Sequence, residues 1–115
     1  MKKGTDIKIY LADVLESVKQ IQEYTAHLKN FEQFQQDRKT QDAVIRQLLI
    51  IGEAVKHLPD TTREKHASIP WKKIAGARDV FVHEYSGIEL PLIWNIIEND
   101  LEPLQREIQK IDDSL

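Results

Sequence analysis

The chain of 115 residues contains no cysteine. That excludes a disulfide framework, a thiolate nucleophile and a zinc site of the cysteine type, and it leaves the core alone to hold the fold. Glycine and proline number four each, too few for a turn-rich β-sandwich or a low-complexity linker. Long apolar runs are missing as well, since the longest, Leu48 to Ile51, is far below the length of a membrane span. There is no excess of positive charge either: 16 Lys and Arg stand against 19 Asp and Glu, for a net charge of −3. Bulk, sequence-blind binding to a nucleic-acid duplex is thereby disfavoured, although a small basic site is not. The basic start Met1-Lys2-Lys3-Gly4 runs into Asp6 and Lys8 rather than an apolar stretch. No signal peptide and a cytoplasmic location are expected.

What is present is helical periodicity. Ile7, Leu11, Val14, Val18, Ile21, Thr25 and Leu28 alternate steps of four and three, which places one apolar stripe on a long helix. Thr5 or Asp6 is expected to cap it and Asn30 to end it. Phe31 and Phe34 fall in a Gln-rich connector that reads as a turn or a single helical turn. Val44, Leu48, Ile51, Val55 and Leu58 mark a second helix, with Thr40 as expected N-cap, Asp42 in the first turn and Pro59 as stop. Gly52 in its interior costs about 1 kcal/mol relative to Ala, so a close helix crossing is expected there. Residues 60–69 read as a loop holding at most one short helical piece.

Pro70 suits the start of a third helix over residues 70–85, carrying Trp71, Ile74, Phe81 and Tyr85, with Gly87 beyond its end. Pro91 opens a fourth, striped by Ile93, Ile97, Leu101, Leu104, Ile108 and Ile111. Pro103 inside that run removes a backbone hydrogen bond and should bend or divide the helix near Asp100. The expectation is a single all-α domain over residues 1–115, a four-to-five-helix bundle.

Chemistry is sought where a polar residue interrupts a stripe. Arg78 does so, between Ile74 and Phe81; its structural reading is an arginine that snorkels or pairs with an acid across the bundle. Arg78-Asp79-Val80-Phe81-Val82-His83-Glu84-Tyr85 adds an imidazole and a phenol within two turns. At about 100° per residue Tyr85 falls nearly above Arg78, whereas His83 is turned about 140° from it and shares a face with Asp79. Either the arginine reaches round a frayed helix end, or a two-fold related copy supplies half of the site.

Such a trio suits metal-independent cleavage of an RNA phosphodiester. Neutral imidazole can take the 2′-OH proton near neutral pH, and a planar guanidinium can hold the phosphate and its added transition-state charge. Asp79 would orient the ring and Tyr85 would hydrogen-bond the phosphate or leaving oxygen. Lys72 and Lys73 would offer contacts to the RNA backbone. No metal, no cofactor and no membrane enter this scheme.

Four blocks of sequence carry a resemblance: Asp42-Ala43-Val44-Ile45-Arg46 followed by Ile51-Gly52-Glu53-Ala54, then Pro70 to Arg78, then His83-Glu84-Tyr85, and finally Trp94 with Glu98-Asn99-Asp100-Leu101. In order and spacing the chain resembles the HepT-like family of HEPN-domain ribonuclease toxins. The resemblance implies a homodimeric helical bundle with Arg78 and His83 as the R-x4-H catalytic pair and Tyr85 completing R-x4-H-x-Y. It also implies a cognate minimal nucleotidyltransferase antitoxin that silences the toxin by adding AMP to the tyrosine at the position of Tyr85. The residue after the motif arginine is often Asn in that family and is Asp79 here. A different class of reading uses the same helices without catalysis, as an adaptor or nucleotide-binding subunit for a nucleotidyltransferase in which Arg78 only holds a phosphate.

Other polar residues read as structural. His27, His57 and His66 lack metal-ligand spacing with carboxylates, and His57 sits four residues from Glu53 as a surface pair would. Trp71 and Trp94 fall on apolar stripes and read as core. Arg63, Lys65 and His66 read as a solvated basic loop, and Glu98, Asp100 and Glu102 as the wet face of the fourth helix.

Overall fold

Leu11, Val14, Val18 and Ile21 have no solvent-accessible surface, and they lie on one face of α1, Lys3–Thr25. In the computed structural model the backbone is described for residues 3–83 and 90–115, and side chains for residues 7–77 and 90–115. After α1 come α2, Phe31–Gln35, α3, Arg38–Lys56, α4, Asp60–Lys65, and α5, Trp71–His83. The chain then runs through α6, Leu90–Asn95, a π-helical turn, Ile96–Asp100, and α7, Leu101–Asp113. Every regular element among the described residues is helical, and no helix among them is long and apolar enough to cross a membrane.

The core is one cluster. α3 lies between α1 and α5, and α7 closes the other side of α1. Val44, Leu48, Ile51 and Val55 of α3 are buried with Ile74 and Ala77 of α5 and Ile93, Ile96, Leu104 and Ile108 of the last helical run. A buried Leu or Ile contributes about 1.5–3 kcal/mol, so this cluster, rather than helix propensity, holds the bundle together. Gly52 is buried on α3.

Several helix boundaries differ from the sequence expectation, the first being that α1 already begins at Lys3, so that Thr5 and Asp6, expected to cap it, fall within the helix. α1 stops at Thr25, where the Thr25 hydroxyl donates back to the Ile21 carbonyl at 2.8 Å. Asn30 begins α2 instead of ending α1: its side-chain oxygen accepts from the Gln33 N–H at 2.9 Å. The N-cap of α3 is Asp37 rather than Thr40, its carboxylate accepting from the Thr40 N–H at 3.1 Å and the Thr40 hydroxyl at 2.7 Å. An aspartate three residues earlier outcompetes threonine because it offers two charged acceptor oxygens to the orphan donors of the first turn. Gln41 then secures the connector, its buried amide donating to the carbonyls of Phe34 at 2.9 Å and Gln35 at 3.0 Å.

The fourth helical run is divided where Pro103 predicts. Pro103 has no N–H to give Asn99, and its ring would strike that carbonyl in an unbroken α-helix. The turn before it widens instead, and the Leu101 N–H bonds to the Ile96 carbonyl five residues back. Ile96 is buried where Ile97 is expected to be, and Asp100, expected on the wet face, is 9% exposed; it lies four residues before Leu104 and seven after Ile93, on the same helical face as both.

Candidate active site

α5 is anchored along its first two turns. Trp71 is buried, and its indole N–H is shared between the carbonyls of Arg63 at 3.1 Å and His66 at 3.0 Å. Ile74 and Ala77 are each 1% exposed, which fixes the face that α5 turns to α3. Lys73 Nζ lies 2.6 Å from Asp100 Oδ2 and also donates to Asn95 Oδ1. Asp100 Oδ2 has no well-aligned hydrogen bond, so its contact with Lys73 is an ion pair of short range and imperfect direction.

Beyond Ala77 the backbone of α5 stays helical to His83. The register is therefore unbroken from Arg78 to His83. Their Cα atoms are turned by about 140° about the axis and separated by about 7.5 Å along it. Arg78 stands one helical step, four residues, after buried Ile74, while Asp79 and His83 share another side of the helix. The side chains of Arg78, Asp79 and His83 lie outside the described residues, as does the whole of Tyr85. Of the two lysines, Lys72 is exposed and makes no ion pair among the described residues, whereas Lys73 is engaged by Asp100 and Asn95.

The three remaining histidines have contacts of other kinds. His27 Nε2 is 2.9 Å from Asp37 Oδ2. The Thr40 hydroxyl, then His27, hold the Asp37 carboxyl down at about 2. His66 Nδ1 is 2.7 Å from Glu107 Oε1, tying the segment before α5 to α7, and that hydrogen bond, with one from Lys110, lowers the Glu107 carboxyl. His57 stacks on Tyr10 with ring centroids 4.3 Å apart, a contact between helices that periodicity within one helix cannot reveal. Trp94 stacks on buried Phe34 at 5.3 Å, in keeping with its place on an apolar stripe. No group of three or more potential metal ligands occurs among the described residues.

A concavity lies beside the Tyr10–His57 contact. Tyr10 and Asp13 of α1, Arg46, Leu49 and Ile50 of α3, and His57 line an open groove of about 450 Å³ along the α1–α3 seam. Sequence reading missed it because its walls come from segments over thirty residues apart.

Residues 14–111 match the family model described as Ribonuclease HepT-like. A protein of Methanocaldococcus jannaschii named "Gamma-glutamylcyclotransferase and putative RNase" is 46% identical over 110 residues, covering 96% of this chain and 49% of that protein. The chain thus spans about half of that relative. A "Putative RNase" of the same organism is 42% identical, over 92% of this chain and 87% of its own length. The "Probable ribonuclease HepT" of Thermococcus cleftensis is 39% identical, over 90% of this chain and 94% of its own. No solved structure matches the chain. The all-helical bundle, the polar motif on α5 and these near full-length similarities lead to one conclusion: the chain belongs to the HepT-like ribonuclease family.

Proposed function

We propose that the protein is a metal-independent endoribonuclease toxin, active as a homodimer, in which Arg78 of one copy and His83 of the other flank a single scissile phosphodiester. The observation that carries this reading is the unbroken helix from Arg78 to His83. A rigid 140° offset (about 100° per residue over five residues) prevents one helix from presenting both groups squarely to a common point, and a two-fold axis removes the conflict at no cost in new sequence. His83 takes the 2′-OH proton, the 2′-oxygen attacks phosphorus to form a 2′,3′-cyclic phosphate as the P–O5′ bond breaks, and the departing 5′-oxygen takes a proton from water. Arg78 neutralises the charge that builds on the phosphoryl oxygens. Asp79, one turn before His83, orients the imidazole, and exposed Lys72 draws in the RNA backbone, whereas Lys73 is held by Asp100 and Asn95.

The reading extends to regulation. AMP added to Tyr85 by a cognate nucleotidyltransferase antitoxin places a phosphate near Arg78 and competes with substrate for the guanidinium. In that case the intact protein gains whole AMP masses and Tyr85→Phe gains none; a wild type that gains none overturns this route.

The direct test of the activity is His83→Ala assayed on single-stranded RNA with a chelator present. Cleavage by the wild type and its loss in a folded His83→Ala variant are expected. A folded variant that still cleaves removes His83 from the mechanism.

A further inference from the structure

We infer that the groove along the α1–α3 seam is a subsite for one unpaired base of single-stranded RNA, with guanine preferred. The inference rests on the ribonuclease reading for its choice of ligand and on the groove alone for its geometry. Tyr10 and His57 lie 6° from parallel with centroids 4.3 Å apart. Tyr10 is half-buried against the core, which holds the lower ring in place, and His57 is exposed, so the stack ends in solvent. A third ring can extend it, and stacking on aromatic side chains is the common means of holding an unstacked RNA base.

The polar rim sets the identity of that base. Arg46 and Asp13 are exposed, line the groove and make no ion pair among the described residues. Glu53, which also lines it, has a partner of its own. A free carboxylate beside a stacking platform repels phosphate but accepts from a base edge rich in donors. Guanine offers two adjacent donors, N1–H and the N2 amino group, that match the two oxygens of Asp13. Arg46 then holds the adjoining phosphate. Leu49 and Ile50 supply the apolar floor.

The test uses the full chain and labelled 2′-O-methyl pentanucleotides, which cannot be cleaved because the attacking hydroxyl is blocked. Binding is read by fluorescence anisotropy for UUGUU, UUAUU and UUUUU. UUGUU is expected to bind about tenfold tighter than UUUUU. His57→Ala and Arg46→Gln should each weaken UUGUU by about tenfold. Asp13→Asn should abolish the guanine preference while UUUUU binds as before. Thermal melting of these exposed-residue variants confirms that they fold. Equal binding by wild type and variants overturns the subsite even in a protein that cleaves RNA. The expected binding pattern in a protein that cleaves no RNA keeps the subsite and overturns the ribonuclease reading. A dimer converted to monomer by His57→Ala and Arg46→Gln gives the groove to a second copy of the chain and also overturns the subsite.

Discussion

Lys73 Nζ sits 2.6 Å from Asp100 Oδ2, and this contact joins the helix that carries Arg78 and His83 to the π-helical turn. The two partners are not equivalent. The Asp100 side chain is 12% exposed and that of Lys73 32%, so a stranded lysine can swing into water and a stranded aspartate cannot.

Lys73→Met should therefore destabilise the fold by about 1–3 kcal/mol, the penalty of a mostly buried carboxylate left without its cation. Asp100→Asn should cost less, because the amide keeps an oxygen near Nζ and carries no charge. Urea denaturation of the two variants gives the order; a smaller loss for Lys73→Met than for Asp100→Asn would contradict this account of the pair.

Gly76 lies inside α5, and a Cβ built there meets nothing within 4 Å. Gly76→Ala should stabilise the chain by about 0.5–1 kcal/mol by restricting the unfolded backbone, a rise of a few degrees in Tm. The same substitution with a lowered Tm and a weakened dimer would place Gly76 under the partner copy.

Asp37 shapes the acid side of the stability curve. Its carboxyl falls from an ordinary value of 3.8 to about 2 in the folded chain, through the Thr40 hydroxyl first and then His27. A carboxyl with a depressed folded pKa adds stability that is complete above its unfolded value and is lost as pH falls from about 4 through 2. Asp37→Asn keeps a good N-cap but cannot titrate, so the loss of stability between pH 4 and pH 2 should be shallower in the variant. Parallel curves for the two proteins would show that Asp37 does not contribute to this limb.

Much of the fold is legible in the apolar spacing. Leu11, Val14, Val18 and Ile21, and Val44, Leu48, Ile51 and Val55, are buried as their stripes predict. The errors fall where two residues compete for one local role, as Asp37 and Thr40 do at the start of α3, or where chemistry depends on register. Pro103 announces a break near Asp100, but the inward place of Asp100 follows from its spacing to Ile93 and Leu104, a signal overridden in the sequence by its charge. For the candidate site, the sequence supplies residue types and their separation along α5, and helical geometry supplies the angle. The engagement of Lys73 and the Tyr10–His57 stack were hidden because each joins segments distant in the chain, which no single-helix pattern encodes.

The composite site is tested most directly by mixing two inactive variants, Arg78→Ala and His83→Ala, after unfolding and refolding them together. If each site takes Arg78 from one copy and His83 from the other, a mixed dimer keeps one of its two sites whole. With random pairing, about one quarter of wild-type RNA cleavage should return, from half the dimers with half their sites. If both groups serve a site within one chain, every chain in the mixture is defective and no activity returns, which would contradict the account.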